Sequence, residues 1–85
     1  MYKQITVGNL YALSHQVRGR KDCNIFIKPA VDRQIEKMMI EDPFEYNGMV
    51  EKLKERNITL ILEEKDRILR KVVLEKIPLP EKKAR

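Results

Sequence analysis

The chain has 85 residues, 42% of them hydrophobic and 36% charged, with 18 Lys+Arg against 13 Asp+Glu for a net charge of +5. That length holds a single domain with one modest core, and no apolar stretch approaches the roughly 20 residues of a membrane span. The segment MYKQITVGN lacks the apolar region of a secretory signal, and one cysteine, Cys23, permits no internal disulfide and no zinc site by itself, so the expectation is a soluble, reduced, cytoplasmic protein.

Residues 2–7 alternate loosely and carry β-branched Ile5, Thr6 and Val7, which predicts a first strand. Asn9 is a good helix cap, and Leu10, Leu13 and Val17 then fall on one face of a short helix. Arg18 suits the negative end of that helix, and Gly19 is expected in the left-handed position just past it. Residues 23–28 read as a second, interior strand because Ile25, Phe26 and Ile27 are apolar on both faces. Pro29 opens a helix striped with Val31, Ile35, Met38 and Met39. Asp42-Pro43-Phe44-Glu45 combines a cap, a proline at the first helical position and a glutamate at the third, predicting a restart or a kink.

Tyr46, Val50 and Leu53 continue the second helix of this pair, and Asn57 stops it. Residues 58–62 make the clearest strand. Residues 67–77 fit either a helix or a strand; the hairpin is preferred because Val72 and Val73 lose χ1 freedom in a helix, although no Asn-Gly or Asp-Gly marks the turn. The expected architecture is therefore α+β: a three- or four-stranded mixed sheet with helices on one face, in the order β-α-β-αα-β-β. Residues 1–77 are expected to form that domain and residues 78–85 a flexible basic tail.

Charge is distributed unevenly. Residues 1–30 carry a net +4, residues 31–64 a net −4 and residues 65–85 a net +5. If the two basic ends meet in space, the domain presents one cationic face to phosphates or an acidic partner. Arg18, Arg20 and Lys21, on a glycine-flexed loop, are suited to fork onto phosphate oxygens. Arg67, Arg70, Lys71 and Lys76 form a second cluster, of which Arg70 and Lys71 are expected to contact phosphates, and Lys82, Lys83 and Arg85 add diffuse attraction that salt screens. Tyr11 lies off the apolar stripe, is expected to be exposed near Arg18 and is the one aromatic that is a candidate contact; Phe26 and Phe44 are expected in the core. No spacing of aromatics matches a single-strand stacking platform.

The strand at residues 24–28 followed by two helices has the order of a ribbon-helix-helix protein, but Phe26 is unsuited to read base edges and that small fold lacks a further apolar strand. Catalytic chemistry has few residues to work with. His15, Ser14 and Cys23 are each the only one of their kind, and Ser14 and His15 point about 100° apart on a helix. No cofactor or metal is implied, although an RNA-cleaving site built from scattered Arg, Lys, Glu and Tyr would leave no local motif.

The leading expectation is a small non-enzymatic regulatory or accessory protein binding DNA or RNA electrostatically through its basic loop and C-terminal region. The alternative is a protein-binding adaptor or inhibitor, homodimeric or heteromeric, that uses the acidic helix pair and an apolar patch of Ile40, Tyr46 and Met49.

Overall fold

Local chemistry sets most of the element boundaries in the computed structural model, which describes residues 5–79. Strand β1 (Ile5–Val7) is followed by helix α1 (Leu10–Gly19), strand β2 (Cys23–Ile27), helices α2 (Pro29–Glu41) and α3 (Pro43–Glu55), and strands β3 (Ile58–Glu64) and β4 (Arg67–Val72). Asn9 caps α1, its side-chain oxygen accepting the Ala12 N–H at 2.8 Å. Asp42 serves two helices at once. Its N–H donates to Met38 O at 2.8 Å and closes α2, while its Oδ1 accepts the Glu45 N–H at 3.3 Å and opens α3. The helix pair is thus two helices with a one-residue break.

Gly19 departs from expectation. It is the last residue of α1, and no glycine among the described residues has positive φ. The chain leaves α1 directly into extended backbone at Arg20 (φ −135°), so no left-handed residue is needed until the turn into β2, where Asp22 takes it (φ 52°).

The four strands lie side by side in chain order, β1-β2-β3-β4. β1 pairs parallel with β2 and β2 parallel with β3, with Ile5 opposite Ile25 and Ile25 opposite Leu60. β4 returns antiparallel to β3, with Leu60 opposite Val72. Two parallel crossovers in the same direction place their helices on one face. That face carries Val7, Ile25, Ile27, Ile58, Leu60, Leu62 and Val72, packed against Leu13, Val17, Val31, Ile35, Tyr46, Val50 and Leu53 from the helices. The architecture is the expected α+β fold with a four-stranded mixed sheet.

The opposite face of the sheet carries the alternate residues, among them Thr6, Asn24, Phe26, Thr59, Ile61 and Lys71. Phe26 is buried, as expected, yet it stands outside the helix-side cluster because it points the other way from Ile25 and Ile27. Phe44 corrects its expectation: it is 49% exposed, since it follows Pro43 in the first turn of α3 and lies off the Tyr46-Val50-Leu53 stripe.

Residues 67–72 form a strand, and the hairpin turn uses Lys65 (φ 52°) and Asp66 (φ 63°) in the left-handed region. Two successive positive φ angles define a type I′ turn, which matches the twist of the flanking strands but favours Asn-Gly. Lys65→Asn with Asp66→Gly is therefore expected to stabilise the fold by about 1 kcal/mol, read as a higher urea midpoint with an unchanged slope. Between Leu62 and Glu63 the register shifts, leaving Leu69 as the extra residue of a bulge in β4.

Beyond β4 the chain crosses α3. The Tyr46 hydroxyl donates to Glu75 O at 3.1 Å, and Lys54 reaches Glu75 at 2.9 Å. Asn47 brackets Ile77, accepting its N–H at 2.9 Å and donating to its carbonyl at 2.8 Å. Among the described residues Asn47 is the buried polar side chain, and both ends of its amide are satisfied by this bracket. Burial raises the Tyr46 pKa above the ordinary phenol value.

Candidate nucleic-acid interface

The parallel pairing of β2 and β3 brings two loops together at the strands' N-terminal end. Cys23, first in β2, lies opposite Ile58, first in β3, so the α1–β2 loop must sit beside the α3–β3 loop. Three hydrogen bonds fix the junction. Arg56 Nη1 donates to Arg20 O at 3.3 Å, Asp22 N–H donates to Arg56 O at 2.8 Å, and Asn57 Nδ2 donates to Asp22 Oδ1 at 2.9 Å. Arg20 is also steered by its own helix, Nε donating to Gln16 Oε1 at 2.7 Å.

The junction places Arg18, Arg20 and Lys21 alongside Arg56 and, one helical turn back on α3, Lys52. Among the described residues, the ion pairs within 4 Å use Lys54, Arg70 and Lys76, so these five cations, like six others elsewhere on the surface, have no carboxylate partner; what sets the five apart is that they share one end of the domain. Asp22 lies among them, its side chain engaged by Asn57. An end of the domain whose guanidinium and ammonium groups stand outside ion pairs, on loops held by backbone bonds, can take up phosphate oxygens without first separating opposite charges.

The second basic cluster lies elsewhere. Arg70 is opposite Leu62, which is opposite Ile27, four residues along β2 from Cys23 and so about 13 Å away along the sheet. Arg70 is moreover paired with Asp32 at the start of α2 at 3.1 Å. Lys71 is opposite Ile61 and belongs to the helix-free face. The structure therefore does not bring Arg70 and Lys71 to the Arg18-Arg20-Lys21 loop. Lys82, Lys83 and Arg85 lie outside the described residues.

Lys52 and Arg56 escape a reading of the sequence because they belong to a segment whose net charge is −4. The usable signal is the alternation Lys52-x-Lys54-x-Arg56 immediately before a strand that has to run parallel to the one following Arg20-Lys21.

Between α1 and α3 runs a groove with a cavity volume of about 340 Å3, lined by Ser14, Val17, Arg18, Asp42, Phe44, Glu45, Gly48, Met49 and Lys52. Arg18 and Lys52 connect it to the cationic end, whereas Asp42 and Glu45 come from the first turn of α3. A side chain built onto Gly48 would meet no atom within 4 Å, so the bare backbone there opens into the groove.

The three residues expected to form an apolar protein-binding patch separate in the fold. Ile40 is 77% exposed, Tyr46 is in the core with its hydroxyl bound to Glu75, and Met49 is half-buried against the core at the groove. Tyr46 is buried because it shares the α3 stripe with Val50 and Leu53. Tyr11 is 82% exposed, as its place off the α1 stripe required. Among the described residues no group of three His, Cys, Asp or Glu side chains is placed to hold a metal, and no helix is long and apolar enough to cross a membrane.

Fold and site together describe a small α+β domain with helices on one face of a mixed sheet and a cationic end at the strands' N-termini. No protein-family model, curated protein or solved structure matches this chain.

Proposed function

We propose that this protein is a small regulatory or accessory factor that binds nucleic acid electrostatically through the end of the domain formed by Arg18, Arg20, Lys21, Lys52 and Arg56. The observation that carries this reading is the hydrogen-bonded junction of the two loops, which gathers five cations without carboxylate partners from two distant parts of the chain. A chain of net charge +5 attracts polyanions at long range, and this end concentrates the attraction.

Fluorescence anisotropy with labelled duplex DNA and single-stranded RNA at about 50 and 200 mM salt tests the reading, because phosphate contacts make affinity fall steeply with salt. Arg20→Ala with Lys21→Ala is expected to weaken binding similarly across sequences and to lower the log–log salt slope by about 1–2; adding Lys52→Ala removes about one more. Arg70→Ala, at the far end of the strands and paired with Asp32, is expected to leave the slope alone. Unchanged affinity and slope in the double variant would remove the loop from the interface.

A further inference from the structure

We propose that the groove between α1 and α3 receives one unstacked base of a single strand, and that its carboxylates favour bases presenting amino N–H donors over uracil or thymine. This rests on the reading of the cationic end as a phosphate site and extends it from affinity to base preference. Its volume of about 340 Å3 falls at the small end of ligand pockets, suited to a compact planar group rather than a helix or a folded partner.

The groove is chemically graded along its length. Arg18 and Lys52 stand at the end continuous with the phosphate-binding loop, and Asp42 and Glu45 at the start of α3. Glu45 and Lys52 are seven residues apart on α3, about 10 Å of helix. A phosphate and the far edge of its own base can span that separation. Between them Met49 offers a polarisable thioether, and Gly48 leaves a flat stretch of backbone with open space above it. A base entering with its phosphate on Arg18 and Lys52 therefore presents its outer edge to Glu45 and Asp42.

Carboxylates only accept hydrogen bonds when ionised. Cytosine and adenine each offer an exocyclic amino group, which a carboxylate can accept. Uracil and thymine offer one imide N–H flanked by two carbonyl oxygens, and a carboxylate brought to that edge meets at least one of them. In a duplex these edges are already paired, so the preference belongs to single strands.

Anisotropy with oligo(C), oligo(A) and oligo(U) RNA of about ten nucleotides reads the proposal directly. Oligo(C) and oligo(A) are expected to bind about tenfold more tightly than oligo(U). Glu45→Gln, whose amide can donate to a carbonyl, is expected to shrink that ratio. Asp42 is left in place because it caps α3. Gly48→Leu starts from a Cβ position with no atom within 4 Å, projects a side chain into the groove and favours the helix, so the variant is expected to fold while the base preference disappears and salt-dependent binding persists. Equal binding of the three wild-type complexes, or an undiminished ratio in both variants, overturns the base site while leaving the cationic end standing. No binding to any oligonucleotide at low salt removes the phosphate site, and the base site with it.

Discussion

Replacing Ile25 with alanine is expected to cost about 3–4 kcal/mol, a substantial part of the roughly 5–15 kcal/mol that separates a folded domain of this kind from its unfolded chain. Ile25 is fully buried in the interior strand, opposite Ile5 on one side and Leu60 on the other, within the cluster formed by the sheet and the helices' apolar stripes. Removing three carbons there leaves a cavity, because the neighbouring strands are held in register by their backbone bonds and cannot close over it. The loss should appear as a lower urea midpoint with little change in slope. Ile61→Ala is the matched comparison. Ile61 is half-buried on the helix-free face, so its truncation is expected to cost less than about 1.5 kcal/mol. Equal losses at the two positions would mean that the helices are not where the main burial lies.

The second large effect concerns Asn47. Its amide is the one buried polar side chain of the core among the described residues, and it both accepts from and donates to the backbone of Ile77. Asn47→Asp keeps the shape and the acceptor but loses the donor, and an ionised carboxylate would face the Ile77 carbonyl. Leaving such a charge buried and half-paired is expected to cost about 3 kcal/mol at neutral pH. A protonated carboxyl can restore the missing donor, so the folded chain holds that proton more tightly than the unfolded one. Stability of the variant is therefore recovered as pH falls toward about 4, the ordinary carboxylate range, and lost as pH rises through the elevated folded value. Asn47→Ala loses both bonds at every pH. Comparing the two variants' midpoints against wild type at neutral and acid pH separates the charge from the bracket, and an Asn47→Asp chain without this pH dependence would refute the arrangement.

Much of the fold is legible because its signals are local. Asn9, Pro29 and the Asp42-Pro43-Phe44-Glu45 group mark helix starts through backbone chemistry that depends on a few adjacent residues. The hairpin can be favoured over a helix on the β-branched pair Val72-Val73, but its turn cannot be named, because Lys65 and Asp66 adopt left-handed backbone only under the demand of two paired strands. Gly19 shows the converse: a residue able to turn left-handed need not do so when the chain continues straight into extended backbone.

The candidate site is legible only in part. Arg18, Arg20 and Lys21 lie close together in the chain and stand out, whereas Arg56 and Lys52 join them through a loop-to-loop contact between residues 36 apart. Averaging charge over long segments conceals this, since the same helix begins with Glu45 and ends with Lys52 and Lys54. Arg70 misleads for a related reason. Its sequence neighbours make it look part of a basic run, but register places it beside Asp32.

The coincidence of strand order in space with strand order in the chain has a consequence for how the sheet is assembled during synthesis. No strand has to wedge itself between two others already in place; each newly made strand finds its neighbour finished and adds to the growing margin. The cost of closing each connection falls due one loop at a time, and the last addition is also the cheapest, a hairpin closed by two residues. Among the described residues the outer strand on that side carries Arg67, Arg70 and Lys71 among its six residues, so the margin on which one more chain could accrete is already electrostatically defended.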